Sequence, residues 1–184
     1  MKFGRFVAGI WLALMLGLGG SMSSALAQDA TPEPMPDGIT PLVIDTDMTT
    51  DDFMAILYVL NQPGYALKAI TVSGTGFATC DAGVQGALGM LALTETNNVP
   101  VACGSETPLQ GENGPPAEWK TTTEMVDSLG FPAGGEPASE DAVTLFTNAV
   151  STANEPVTVL ALGPLTNIGA ALDASPDLAD NISM

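Results

Sequence analysis

Short apolar runs that alternate with longer segments of helical period constrain this chain more than any other feature. Pro41–Ile44, Leu67–Val72, Val99–Ala102 and Val157–Leu162 read as strands. The last of them, "VTVLAL", is the near-continuous apolar run expected of a parallel strand covered on both faces. Between the runs, Asp51–Leu60 and Asp81–Thr94 have helical spacing, with Val84, Leu88 and Leu91 on one face of the second. Ser139 is placed to cap a third helix, Glu140–Ala153, whose Ala142, Val143, Leu145, Phe146, Ala149 and Val150 form one stripe. Pro164 opens a fourth helix in an allowed early position. Strands alternating with helices imply βαβ units. The expected fold is therefore α/β: an open, mostly parallel sheet with helices on both faces. About four strands accumulate, against a usual ~5–6, and "DNISM" ends the sequence where a further apolar strand begins. These features read as a fragment of a longer domain, and residues 28–184 alone are expected to fold poorly, with an open apolar edge.

The first residues stand outside that pattern. Lys2 and Arg5 precede the apolar run Phe6–Gly20, and Ala25-Leu26-Ala27 supplies a small-x-small cleavage pattern. Residues 1–27 are expected to be a signal peptide, which makes the protein secreted or periplasmic with no membrane attachment after cleavage. Residues 28–40, rich in Pro and Asp, read as a flexible leader, and residues 41–184 as the folded portion.

Charge and residue usage exclude several classes of function. The portion after the cut keeps all 21 acidic residues and only Lys68 and Lys120 as bases. Such a surface repels phosphate backbones, so nucleic acid is not expected as a partner. The absence of histidine removes His-based triads and acid–base chemistry within this chain, and makes a zinc site a poor fit. Export permits a disulfide between Cys80 and Cys103, the only cysteines, but their apolar surroundings suit two buried thiols equally well. Residues 104–136 form an irregular stretch too long for an ordinary connection. Within it Trp119 suits an apolar loop anchor better than a stacking platform. A homo-oligomer is compatible with all of this.

The chemistry concentrates in "PLVIDTDMTTDDFMAIL", residues 41–57, where Asp45 and Asp47 lie at a strand end and Asp51 and Asp52 in the first turn of a helix. Capping by Thr49 or Thr50, with Asp51 and Asp52 complementing the helix dipole, accounts for the later pair only. Four carboxylates without basic partners are costly unless some are protonated or a cation sits among them, and oxygen-only donors suit calcium. An EF-hand loop is a poor reading, because its sixth position is Thr50 rather than Gly and its twelfth is Ile56 rather than Glu. "DTDMT" also fits the D-x-D-x-T pattern of haloacid-dehalogenase-like phosphatases, with Asp45 as nucleophile and Asp47 as acid–base.

A longer pattern covers more of the chain. "IDTDMTTDDFMAIL", "ALKAITVSGTG", "GVQGALGMLAL", "VPVACG" and "VTVLALGPLTNIGAAL" together resemble, in order, the inosine-uridine preferring nucleoside hydrolase family. The resemblance implies the Rossmann-like fold of that family and calcium-dependent hydrolysis of the N-glycosidic bond of ribonucleosides, giving ribose and free base. It further implies Asp47 as calcium ligand and catalytic base, Asp52 and the backbone carbonyl of Leu162 as further calcium ligands, Asp51 close to the ribose hydroxyls, and Asp45 as support behind them. Met48-Thr49 stands where the family has Pro-Gly, and Gly76 where many members carry an Asn. A module that keeps the fold and binds calcium without catalysis is the alternative, with the phosphatase third.

Overall fold

The computed structural model describes residues 38–122 and 129–183. The expected signal peptide, most of the leader and part of the long loop lie outside the described residues. A parallel sheet is built from β1 (Thr40–Thr46), β2 (Tyr65–Val72), β3 (Val101–Cys103), β4 (Val157–Ala161) and β5 (Ile182–Ser183). Helices α1 (Thr50–Leu60), α2 (Cys80–Leu93), α3 (Ala142–Ser151) and α4 (Thr166–Ala174) connect them, with 3-10 turns at Ala117–Thr122 and Pro176–Asn181. The α/β architecture expected from the sequence is therefore observed.

Strand order is β3-β2-β1-β4-β5, and every adjacent pair is parallel. The chain thus winds outward from β1 through β2 to β3, then returns to lay β4 against the other side of β1. That reversal makes the space beyond the carboxyl ends of β1 and β4 a topological switch point, where open α/β sheets bind ligands.

The pleat sends alternate residues to two cores. On one face Leu42, Ile44, Ile70, Val72 and Val101 pack with Phe53 and Ile56 of α1 and Val84, Leu88 and Leu91 of α2. On the other, Val43, Ala69, Ala102 and Val157 pack with Leu145, Phe146 and Val150 of α3 and Ala171 of α4. Small Ala69 and Ala102 leave room for the fully buried Phe146 ring. The β1–β2 register shifts between Leu42 and Val43, so that Lys68 is an extra residue on β2.

Local details correct three expectations. Asp141 rather than Ser139 caps α3, its carboxylate accepting the Thr144 N–H at 2.9 Å. The helix expected to open at Pro164 starts at Thr166. Thr40, assigned to the leader, already belongs to β1. Thr79 caps α2 by accepting the Ala82 N–H. Cys80 and Cys103 are joined in a disulfide, which decides between the two readings of the cysteines.

Candidate active site at the sheet switch point

Asp45 is the penultimate residue of β1, and the pleat points its side chain into the protein, where it is only 1 % exposed. Its Oδ1 accepts from Asn167 Nδ2 at 3.0 Å, and the same amide donates to the Val72 carbonyl at 3.0 Å. Asp45 Oδ2 has no hydrogen-bond partner. Burial pushes this carboxyl up to about 7.

Asp47 follows at the mouth of the sheet, 9 % exposed. The Phe77 N–H donates to its Oδ2 at 3.1 Å, whereas its Oδ1 is buried and has no hydrogen-bond partner. Burial, with the Asp52 charge adding to it, raises the Asp47 carboxyl to about 6. Two glycines let the backbone close on this side chain. A Cβ at Gly76 would stand 2.2 Å from Asp47 Oδ2, and one at Gly163 would stand 2.7 Å from the Asp47 nitrogen. Neither distance is physically allowed, so each position needs a glycine for the carboxylate to stay where it is. The Leu162 N–H donates to the Asp45 carbonyl at 2.8 Å, which brings Leu162 and Gly163 alongside Asp47.

The turn from β1 into α1 is closed by Thr46. Its hydroxyl donates to Asp52 Oδ2 at 2.6 Å and accepts the Met48 N–H at 2.9 Å. The Thr49 N–H also reaches Asp52 Oδ2, at 3.3 Å, so Asp52, only 3 % exposed, ties the N-cap to its helix. Met48 is held at φ 58°, a left-handed conformation unusual for a bulky residue, with its side chain buried. Asp51 differs from its neighbours. It is exposed, and the Thr49 hydroxyl donating to it at 2.6 Å lowers its pKa.

The four aspartates therefore divide by environment. Asp45 is turned inward onto Asn167, Asp47 and Asp52 stand together at the sheet mouth, and Asp51 faces outward. Among the described residues no three His, Cys, Asp or Glu side chains gather closely enough to hold a metal ion. The Asp47–Asp52 pair nevertheless offers oxygen donors only, Gly163 closes on Asp47, and Asp47 Oδ1 is a buried acceptor without a hydrogen-bond partner. Those features fit a hard cation such as calcium. Trp119, expected as an apolar loop anchor, is 54 % exposed.

Several neighbours carry no signal that a motif would single out. Thr75 Oγ1 lies 2.8 Å from Thr166 Oγ1 and 2.9 Å from Ser73 Oγ, a buried row of hydroxyls that joins the loop after β2 to the start of α4. Thr75 and Thr166 also line a cavity of about 320 Å³ with Asn113 and Pro164. Asn167 sits in "GPLTN" and could have been marked as a polar residue inside an apolar helix face, although its partner 122 residues away could not.

An open parallel sheet with paired carboxylates at its switch point defines a class of ligand-binding α/β proteins. Comparison with known proteins narrows it. The sequence model of the inosine-uridine preferring nucleoside hydrolase family matches residues 42–184, and the chain belongs to that family. It is 33 % identical over 147 residues to the pyrimidine-specific ribonucleoside hydrolase RihA of Enterobacter sp. (strain 638), covering 78 % of this chain and 45 % of that protein. Among solved structures, the inosine-uridine preferring nucleoside hydrolase from Bacillus anthracis superposes with a TM-score of 0.70 at 19 % identity, over 78 % of this chain and 48 % of the other. A plant nucleoside hydrolase, PpNRh1, gives 0.66 at 28 % identity, over 78 % and 45 %. The chain thus spans less than half the length of these relatives.

Proposed function

We propose that this chain carries the metal-binding and water-activating half of a nucleoside hydrolase site, and that the protein it belongs to cleaves ribonucleosides to ribose and free base. The observation that supports this most is Asp47 itself. One of its oxygens is fixed by the Phe77 N–H, the other is buried without a partner, and the carboxyl stands at the switch point with a pKa raised to about 6. Asp47, Asp52 and the Leu162 carbonyl would hold calcium, which when bound supplies charge for orienting water and ribose hydroxyls. Asp47 accepts a proton from the attacking water while a C–O bond forms at the sugar's anomeric carbon and the C–N bond breaks, its electron pair leaving on the base, which takes up a proton from solvent to become the free base. Asp52, held by Thr46 and Thr49, keeps the floor of the site negative against the positive charge that develops on the sugar. Asp51, exposed outside this floor, would contact ribose hydroxyls.

The signal-like Ala25-Leu26-Ala27 pattern supports export, with processing to Gln28 expected by intact-mass analysis of secreted material. Calcium binding without turnover is the second reading, since the Asp47–Asp52 pair would hold a cation whether or not Asp47 takes up a proton. Phosphatase chemistry fits poorly, because Asp45 is 1 % exposed and turned onto Asn167, out of reach of an external phosphate. The test is release of reducing sugar from uridine, cytidine and inosine, with and without chelator. Asp47→Asn should lower the rate by about 10²–10⁴-fold. Chelator-insensitive release, or phosphate release from a phosphomonoester, would overturn the proposal, and calcium binding with no release would favour the second reading.

A further inference from the structure

The Cys80–Cys103 bond joins the first residue of α2 to the last residue of β3. Each cysteine adjoins a backbone that touches the aspartate site. Three residues before Cys80, the Phe77 N–H holds Asp47 Oδ2 at 3.1 Å. One residue after Cys103, Gly104 presses on Asn167 so closely that a Cβ would lie 1.9 Å from Asn167 Oδ1. Asn167 in turn holds Asp45 Oδ1 at 3.0 Å. A second tie runs beside the disulfide, the Cys80 N–H donating to Glu106 Oε1 at 3.1 Å. Gly74 packs into the same junction, where a Cβ would meet Glu106 Cγ at 2.8 Å and Cys80 Sγ at 3.0 Å. Two loops that arrive from different strands, and that bear on different aspartates, are therefore fastened to each other at one point.

We infer that the Cys80–Cys103 disulfide is a positioning clamp for the aspartate site, and that its reduction slackens the loops on Asp47 and on Asn167–Asp45 while the sheet stays folded. The metal readout below rests on the proposed function; the amide-exchange readout does not. Reduction consumes two electrons and two protons from a dithiol, which leaves as its cyclic disulfide while Cys80 and Cys103 become thiols. Both sulfurs are within reach of such a reagent. The two cysteines are half-buried, and a cavity of about 240 Å³ lined by Cys80, Asp81, Val84, Cys103 and Glu140 opens beside them. Asp81 and Glu140 on that cavity disfavour anionic thiols, so uncharged dithiothreitol is the appropriate reductant.

The experiment compares the full chain oxidised, reduced with dithiothreitol, and reoxidised. Hydrogen exchange should accelerate in peptides covering residues 73–79 and 104–107 on reduction, remain unchanged in residues 40–46 and 157–161, and return on reoxidation. Terbium affinity, with terbium as luminescent stand-in for calcium, should fall about 10–100-fold on reduction, as for loss of groups that orient metal ligands. The Cys80→Ser/Cys103→Ser chain should match the reduced protein and ignore dithiothreitol. If that variant does not fold, the reduced and reoxidised wild type still decides the matter. Unchanged exchange in both loops would overturn the clamp, and so would loss of protection across the whole sheet. An oxidised chain that binds no terbium would sink the proposed metal site, while the exchange pattern would still confirm or overturn the clamp.

Discussion

At the scale of single residues, the site depends on what is missing as much as on what is present. At Gly76 the Asp47 carboxylate occupies the space a side chain would need. Gly76→Ala should push Asp47 away from the Phe77 N–H and weaken terbium or calcium binding about 10–100-fold, with little change in the unfolding midpoint. Wild-type affinity in a titration of this variant would show that the carboxylate has another resting place. The Asp residues themselves were legible in the sequence, because carboxylates at a strand end have few structural uses. Their division into an inward Asp45, a paired Asp47 and Asp52, and an outward Asp51 was not, because four residues of one chemical type look alike until burial distinguishes them.

At the scale of elements, helical and strand periods were strong enough to place every α-helix among the described residues and four of the five strands described there, and errors gathered at the ends. "ASEDA" offers two capping residues, Ser139 and Asp141, and Asp141 wins because the first core-facing positions of α3, Ala142 and Leu145, fix where the helix must start. Local propensity alone cannot choose among adjacent caps. The same helix anchors the second core through Phe146, which is fully buried over Ala69 and Ala102. Phe146→Ala should therefore destabilise the chain by about 3–5 kcal/mol in denaturant titrations, since no neighbour can collapse into the space of an aromatic ring. A loss below about 1 kcal/mol would mean that α3 is not docked as described.

At the scale of the whole molecule, charge couples stability to pH. The folded-state pKa values of Asp45 and Asp47, about 7 and about 6, both lie above the ordinary 3.8. The folded chain therefore binds more protons than the unfolded chain between those limits. Stability from these groups is complete below about pH 4 and is lost as pH rises through 6 and 7. In chelator, the unfolding temperature should fall from pH 5 to pH 8 on account of this pair, and Asp45→Asn should flatten that dependence. Calcium should restore more stability at pH 8 than at pH 5, because protons and the cation compete for the same carboxylates. A calcium increment that does not grow with pH would place the cation elsewhere.

By itself the sequence determined the α/β class, the run of strands and helices, and the family, because hydrophobic period and motif order are local properties that survive without coordinates. Only the tertiary structure decided that β4 returns to the far side of β1, which creates the switch point and sets Leu162 and Gly163 beside Asp47. It alone joined Asn167 to Asp45 across 122 residues and Cys80 to Cys103 across 23. Strand order and long-range pairing are chosen by how whole layers pack, so the contacts that make the site from its aspartates have no signature in any one stretch of the chain.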